Sequence, residues 1–265
     1  MHRRRLRPHP YLDGPHPRAF AHRGWHLDEL AGMENSASAL ARAWAEGFAY
    51  LETDVRATAD GVVVVQHDAT LGRTTDSAGV VATLPWAAVR RARIGGREPV
   101  SRLEEVLEAL PAARFNIDVK SDQAVGPVLR VVERMSAWSR VCLASFEERR
   151  LRVLRRVGGP RLMTSLGRGS ARLLWASSRL GRWGDGLPVA GRLAQVPLHR
   201  GSLRVVDERL VGAVRRRGLE VHVWTVDDPA RMRELLDLGV DGLVTDRPDL
   251  LRAELVARGA WPSAR

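Results

Sequence analysis

The chain has 265 residues, 45% of them hydrophobic and 28% charged, a globular composition long enough to bury a sizeable core. Its single cysteine, Cys142, excludes an internal disulfide framework, and no run approaches the ~20 apolar residues of a transmembrane helix. The formal net charge of +11 suits phosphorylated substrates, anionic lipid or nucleic acid, but the basic residues are spread along the chain with few interleaved aromatics and no zinc-finger, KH or RRM signature, so nucleic acid is not an expected partner.

The N-terminal stretch MHRRRLRPHP is basic but lacks an apolar h-region and does not read as a secretory signal. The expected location is cytoplasmic, with peripheral contact at the inner membrane face left open. RAFA (18–21) is the first strand candidate, followed by an amphipathic stretch, ENSASALARAWAEG (34–47). AYLETDV (49–55) is the second. It turns through Ala59-Asp60-Gly61 into GVVVVQH (61–67), and Asp-Gly is a strong hairpin signal. The helix-like LEEVLEAL leads to FNIDV (115–119), VGPVLRVVERM to VCLA (141–144), and EERRLRVLRRV to RLMTS (161–165).

Residues 166–192, rich in glycine and arginine and carrying Trp175 and Trp183, segregate apolar and basic positions poorly. They are expected to form a loop with a short helix beside the barrel mouth, where plain packing is the stronger reading and membrane contact the weaker. LAQVP (193–197), EVHVWTV (220–226) and DGLVT (241–245) complete the strands, with ERLVGAVRRRG and PARMRELLDLG between them. Gly47, Gly158, Gly218 and Gly239 are placed as helix stops, and Pro229 after Asp227-Asp228 suits a first helical turn.

Eight strand–helix units in this length predict an α/β fold, a (β/α)8 TIM-type barrel with a small hairpin insertion after strand two. A doubly wound sheet is the alternative, but no G-x-G-x-x-G or P-loop supports it. Residues 1–265 are expected to form one catalytic domain with a core at about 18–252 and an N-terminal arm at 1–17.

Glu52 and Asp54 are two apart late in strand two and therefore share a face. Asp118 and Lys120 stand in the same relation at the end of strand three, His22 follows strand one, and His67 ends the hairpin strand. In a barrel these positions meet at the C-terminal mouth. Three carboxylates repel unless a cation sits among them, and an all-oxygen set suits Mg²⁺ or Ca²⁺ better than zinc. Lys120 is the only lysine beside forty-one arginines, as a tight site that needs a compact charge would require. Each residue alone has a plainer explanation: Glu52 paired to a core arginine, Asp118 capping a helix, a packed histidine. Their convergence on one mouth favours chemistry.

AHRG (21–24), MENSASAL (33–40), LETDVRATADGVVVVQHD (51–68), LGRTTDSAG (71–79), FNIDVKSD (115–122), VHVWTVDDP (221–229) and GVDGLVTDRPDLL (239–251) resemble the glycerophosphodiester phosphodiesterase family over about residues 18–252. The resemblance implies a metal-dependent enzyme that hydrolyses glycerophosphodiesters to sn-glycerol 3-phosphate and an alcohol. It implies His22 and His67 as catalytic residues, and Glu52, Asp54 and Asp118 as ligands of one divalent cation. Arg23 and Lys120 match positions near the phosphate. Two positions depart from the family pattern. Asp118 stands where glutamate is usual, one methylene shorter, and Ser36 replaces threonine in the ENT motif, keeping the hydroxyl of a helix N-cap.

A phosphodiester anion repels nucleophiles, so the chemistry requires a Lewis acid, fixed positive charge and an acid–base pair. The substrate's own glycerol hydroxyl is the expected first nucleophile, giving a cyclic phosphate that water opens. Gln195 and Trp224 are candidates to hold the glycerol or alcohol; Asp246 reads as fixing the strand-eight turn. The expected partner is a small phosphodiester, with oligomeric state unspecified. Competing readings are a phospholipase D-like enzyme on lysophospholipids at a membrane surface and a non-catalytic phosphoester-binding barrel.

Overall fold

In the computed structural model of the chain, residues 9–262 are described; residues 1–8, most of the basic N-terminal stretch, and 263–265 lie outside the described residues. The strands of the main sheet are β1 (Arg18–His22), β2 (Tyr50–Ala57), β3 (Val63–Val65), β4 (Arg114–Val119), β5 (Val141–Ala144), β6 (Met163–Thr164), β7 (Leu193–Pro197), β8 (Glu220–Trp224) and β9 (Gly242–Thr245). All but β3 are parallel and pair in the order β6-β5-β4-β2-β1-β9-β8-β7. A parallel bridge between Ser165 and Leu193 joins the two ends and closes the barrel.

The eight surrounding helices are α1 (Ala37–Ala45), α2 (Leu103–Ala109), α3 (Val125–Arg134), α4 (Glu148–Gly158), α5 (Arg168–Ser178), α6 (Glu208–Arg216), α7 (Pro229–Leu238) and α8 (Pro248–Ala257). α3 shows how the ring is held. Val125, Val128, Leu129, Val131 and Val132 recur at helical spacing and are buried against the strands. Each such side chain contributes roughly 1.5–3 kcal/mol. α1 begins at Ser36, whose hydroxyl accepts from the Ala39 amide at 3.0 Å, and α7 begins with Asp228 as N-cap before Pro229. The stop expected at Gly158 falls one residue later: Gly158 is still helical, and Gly159 takes the left-handed conformation at φ 60°.

Two elements differ from expectation. The insertion after β2 is larger than a hairpin. β3 pairs antiparallel with β2, but residues 58–102 also build a separate apolar cluster of Val64, Leu71, Val81, Val89, Ala92, Ile94 and Val100 around Met33. Residues 166–192 are not a loop at the mouth. They contain the eleven-residue α5, which joins the helical ring, and a 3-10 turn, Gly181–Gly186, packed beside Arg217 at the C-terminal end of α6. Chain direction puts that end on the face away from the mouth, so Trp183, 95% exposed, stands far from the strand ends.

The barrel interior is layered. At the bottom, Arg18 pairs with Glu220 at 2.6 Å and donates to Tyr50 Oη at 2.6 Å. Tyr11, from a 3-10 turn at Pro10–Leu12, is fully buried among Phe20, Tyr50, Met163 and Leu193. The described part of the arm thus plugs the lower end, and the upper layer is left for polar groups.

Candidate active site

The register of β1, β2 and β4 sets the upper layer. His22 pairs with Glu52, Glu52 with Asn116, and Asp54 with Asp118. These residues face a cavity of about 230 Å³ at the mouth. All nine residues singled out from sequence line it: His22, Arg23, Glu52, Asp54, His67, Asp118, Lys120, Gln195 and Trp224.

The turn after β1 folds back over the mouth. Arg23 has φ 56°, and its amide donates to Glu52 Oε2 at 3.2 Å. Gly24 follows at φ 89°; a Cβ there would lie 2.6 Å from the Ala39 carbonyl carbon in α1, which explains the glycine of the HRG motif. The Arg23 guanidinium pairs with Glu34 at 2.7 Å and Asp54 at 3.2 Å. Asp54 also accepts from Asn35 Nδ2 at 2.9 Å, while Asn35 Oδ1 accepts from Thr53 at 2.7 Å. Lys120 Nζ bridges Asp118 at 2.7 Å and Asp54 at 2.9 Å. Deeper in, Gln195 donates to Asn116 at 2.9 Å.

Each histidine is held by a carboxylate at Nδ1. His22 Nδ1 lies 2.7 Å from Asp246 Oδ1, and His67 Nδ1 2.6 Å from Asp68 Oδ1. His22 Nε2 points toward Glu52 at 3.7 Å. His26 also reaches Asp246, at 3.2 Å, and Asp227 fixes the Asp246 backbone by accepting its amide at 2.8 Å. Asp68 and Glu34 are joined through Arg73 at 2.5 and 2.7 Å. The arrangement gives Asp246 a second part beyond the turn expected for it. Sequence reasoning also did not single out Asn35, Asp68, Asn116 or Phe146 as site residues. Asn35 and Asp68 lie beside the quoted Ser36 and His67, a signal that was present. Phe146, from the loop after β5, carries no motif and comes to the rim by topology alone.

Burial without full compensation sets the electrostatics. Glu52 is pushed up to about 8 by burial and by the neighbouring Asp54 charge. Burial also raises Asp118, although Lys120 opposes it. Asp54 is equally buried, yet the Lys120 and Arg23 charges outweigh that and hold it low. For His22, burial works against the imidazolium, but Glu52 and the Asp246 hydrogen bond outweigh it and the pKa is raised.

Among the described residues no three His, Cys, Asp or Glu side chains close into a metal-ligating cluster; the Lys120 ammonium lies between Asp54 and Asp118. The donor chemistry nevertheless fits a hard divalent ion. Asp118 Oδ1 is buried with no hydrogen-bond partner, and Glu52 and Asp54 are inward carboxylates in mutual repulsion.

Fold and mouth together define a parallel (β/α)8 barrel with three buried carboxylates and two carboxylate-held histidines at the C-terminal strand ends. Comparison with known proteins agrees with that class. The family model described as "Glycerophosphoryl diester phosphodiesterase family" matches residues 22–250. The Mycobacterium tuberculosis protein named "Probable glycerophosphodiester phosphodiesterase 2" is 42% identical over 93% of this chain and 93% of its own length. A glycerophosphodiester phosphodiesterase of Caldanaerobacter subterraneus is 29% identical over 90% of this chain and 97% of its own. The crystal structure of an Agrobacterium tumefaciens glycerophosphodiester phosphodiesterase aligns with TM-score 0.70 and 27% identity over 88% of this chain and 98% of that one. An Oleispira antarctica phosphodiesterase, solved with the product sn-glycerol-3-phosphate, shares the fold at TM-score 0.73 and 20% identity, over 91% of this chain and 97% of that one. The chain belongs to the glycerophosphoryl diester phosphodiesterase family.

Proposed function

We propose that this family member hydrolyses glycerophosphodiesters to sn-glycerol 3-phosphate and an alcohol, with His22 and His67 as the acid–base pair. One observation carries the reading: two imidazoles at one cavity, each held at Nδ1 by its own carboxylate, Asp246 or Asp68. That hold fixes the tautomer and leaves Nε2 as the proton-transfer atom. Such a pair contributes roughly 10²–10⁴-fold to rate.

Arg23 and Lys120 supply fixed positive charge to the phosphoryl oxygens. Glu52, Asp54 and Asp118 hold one divalent cation, Mg²⁺ or Ca²⁺, which when bound acts as a Lewis acid on those oxygens. Gln195 and Trp224 position the glycerol or the alcohol. The substrate's own glycerol hydroxyl attacks phosphorus; one histidine takes its proton and the other protonates the departing alcohol oxygen as the P–O bond breaks. Water then opens the cyclic phosphate. A diester lacking the neighbouring hydroxyl turns over poorly on this route, and equal rates on the two diesters would refute it. Residues 18–252 act as one catalytic unit, in the cytoplasm.

A second reading, cleavage of lysophospholipids at a membrane surface, is favoured by two apolar side chains exposed on the mouth side, Phe146 at 37% and Leu203 at 47%. Release of lysophospholipid headgroups at rates above those on the matching soluble diester would establish it. No helix among the described residues is long and apolar enough to cross a membrane.

A further inference from the structure

The alcohol is the variable half of a glycerophosphodiester, and the rim of the cavity differs in character from its floor. At the floor, Asn116 and Gln195 offer neutral hydrogen-bonding groups suited to hydroxyls. At the rim stands Phe146, edge-on to Trp224 with ring centroids 5.5 Å apart. An aromatic pair at a mouth usually suggests a cage for a quaternary ammonium, which needs a free ring face. At Phe146 the protein's own cations already stand by the ring. The Arg168 guanidinium lies 5.0 Å from its ring centroid and Lys120 Nζ 5.7 Å. Arg168 opens α5, and its amide donates to the Phe146 carbonyl at 3.0 Å, which ties the two backbones together beside the ring.

The acid beside Arg168 is Glu147, at 3.5 Å, with both side chains half exposed and the pair correspondingly weak. We propose that Arg168, stacked on Phe146 at the rim, forms an anion-selecting subsite for the leaving alcohol. The preferred diesters then carry a second negative group, phosphoryl or carboxylate, on the alcohol, and choline-type alcohols are disfavoured. The inference rests on the hydrolase reading above and adds the substrate class to it.

The test compares kcat/KM on a glycerol-bridged bis-diester, bis(glycerophospho)glycerol, with that on glycerophosphocholine, for the wild type and for Arg168→Gln and Arg168→Glu. The wild type is expected to favour the anionic substrate, with Arg168→Gln reducing the ratio about tenfold and Arg168→Glu reducing it further. Raising the salt concentration should shrink the wild-type ratio, because Arg168 is exposed. Preference for the choline ester, or a ratio unmoved by Arg168→Gln, would overturn this inference while leaving the hydrolase reading intact. Hydrolysis of neither diester would overturn both.

Discussion

Lys120 Nζ lies 2.7 Å from Asp118 and 2.9 Å from Asp54, so the chain's only lysine bridges two of the three buried carboxylates at the mouth. Glu52 is left to burial and to the Asp54 charge, and it is the carboxyl pushed up to about 8. Asp118→Asn removes one of the anions that offset both the ammonium and any bound cation. The expected result is a rise of at least about tenfold in the Mg²⁺ or Ca²⁺ concentration giving half-maximal activity. Asp118→Glu restores the side chain usual in the family and should shift that midpoint by less than about threefold. Metal titrations of both variants check the pair of expectations.

Asp246 holds His22 at 2.7 Å, and His26 approaches the same oxygen at 3.2 Å. Asp246→Asn keeps the shape but removes the charge that fixes the His22 tautomer. kcat should fall by roughly 10²-fold with KM changed little, because substrate binding does not use Asp246. With the Asp246 side chain 40% exposed, thermal stability should move little. A loss in KM alone would remove Asp246 from the catalytic account.

How far these features were legible depended on how each is encoded. The eight barrel strands and the Glu52–Asp54 and Asp118–Lys120 pairs follow from local alternation, since side chains two apart share a face wherever the strand ends up. α5 was obscured because its buried face includes Ser177 and Ser178 beside Leu174. Their hydroxyls donate to the carbonyls of Leu174 and Trp175 at 2.8 and 2.6 Å, so polar residues occupy positions where hydropathy alone marks solvent. The partners of the histidines divide the same way. Asp68 is adjacent to His67, whereas Asp246 lies 224 residues from His22 and meets it because β1 and β9 are neighbours.

Below the site, Arg18 and Glu220 form an ion pair at 2.6 Å inside the barrel, with His222 at 3.1 Å from the same carboxylate. Burial opposes the Glu220 charge, but the Arg18 and His222 hydrogen bonds outweigh it and lower the carboxyl from 4.5 to about 2. A carboxyl depressed in the folded state stabilises above its unfolded pKa. That stability, on the order of 3 kcal/mol, is lost as pH falls from 4.5 through about 2. Glu220→Gln should abolish this part of the acid limb and, by leaving Arg18 buried without its partner, destabilise by about 3–5 kcal/mol near neutrality. Denaturant melts of both proteins across that pH range provide the comparison.

Trp183 is almost wholly exposed on the turn after α5, away from the mouth. Trp183→Ser should therefore leave kcat/KM unchanged and alter stability by less than about 0.5 kcal/mol. Co-sedimentation with anionic vesicles that depended on Trp183 would assign that face a membrane role.

The central claim is that His22 and His67 perform metal-dependent hydrolysis of a glycerophosphodiester at this mouth. The most direct measurement follows sn-glycerol 3-phosphate release from glycerophosphoglycerol by the purified protein with Mg²⁺, with Ca²⁺ and with EDTA, alongside His22→Ala and His67→Ala. The account predicts release with at least one metal, none in EDTA, and a loss of roughly 10²–10⁴-fold in each variant. Release that persists in EDTA, or that survives either substitution undiminished, would contradict it.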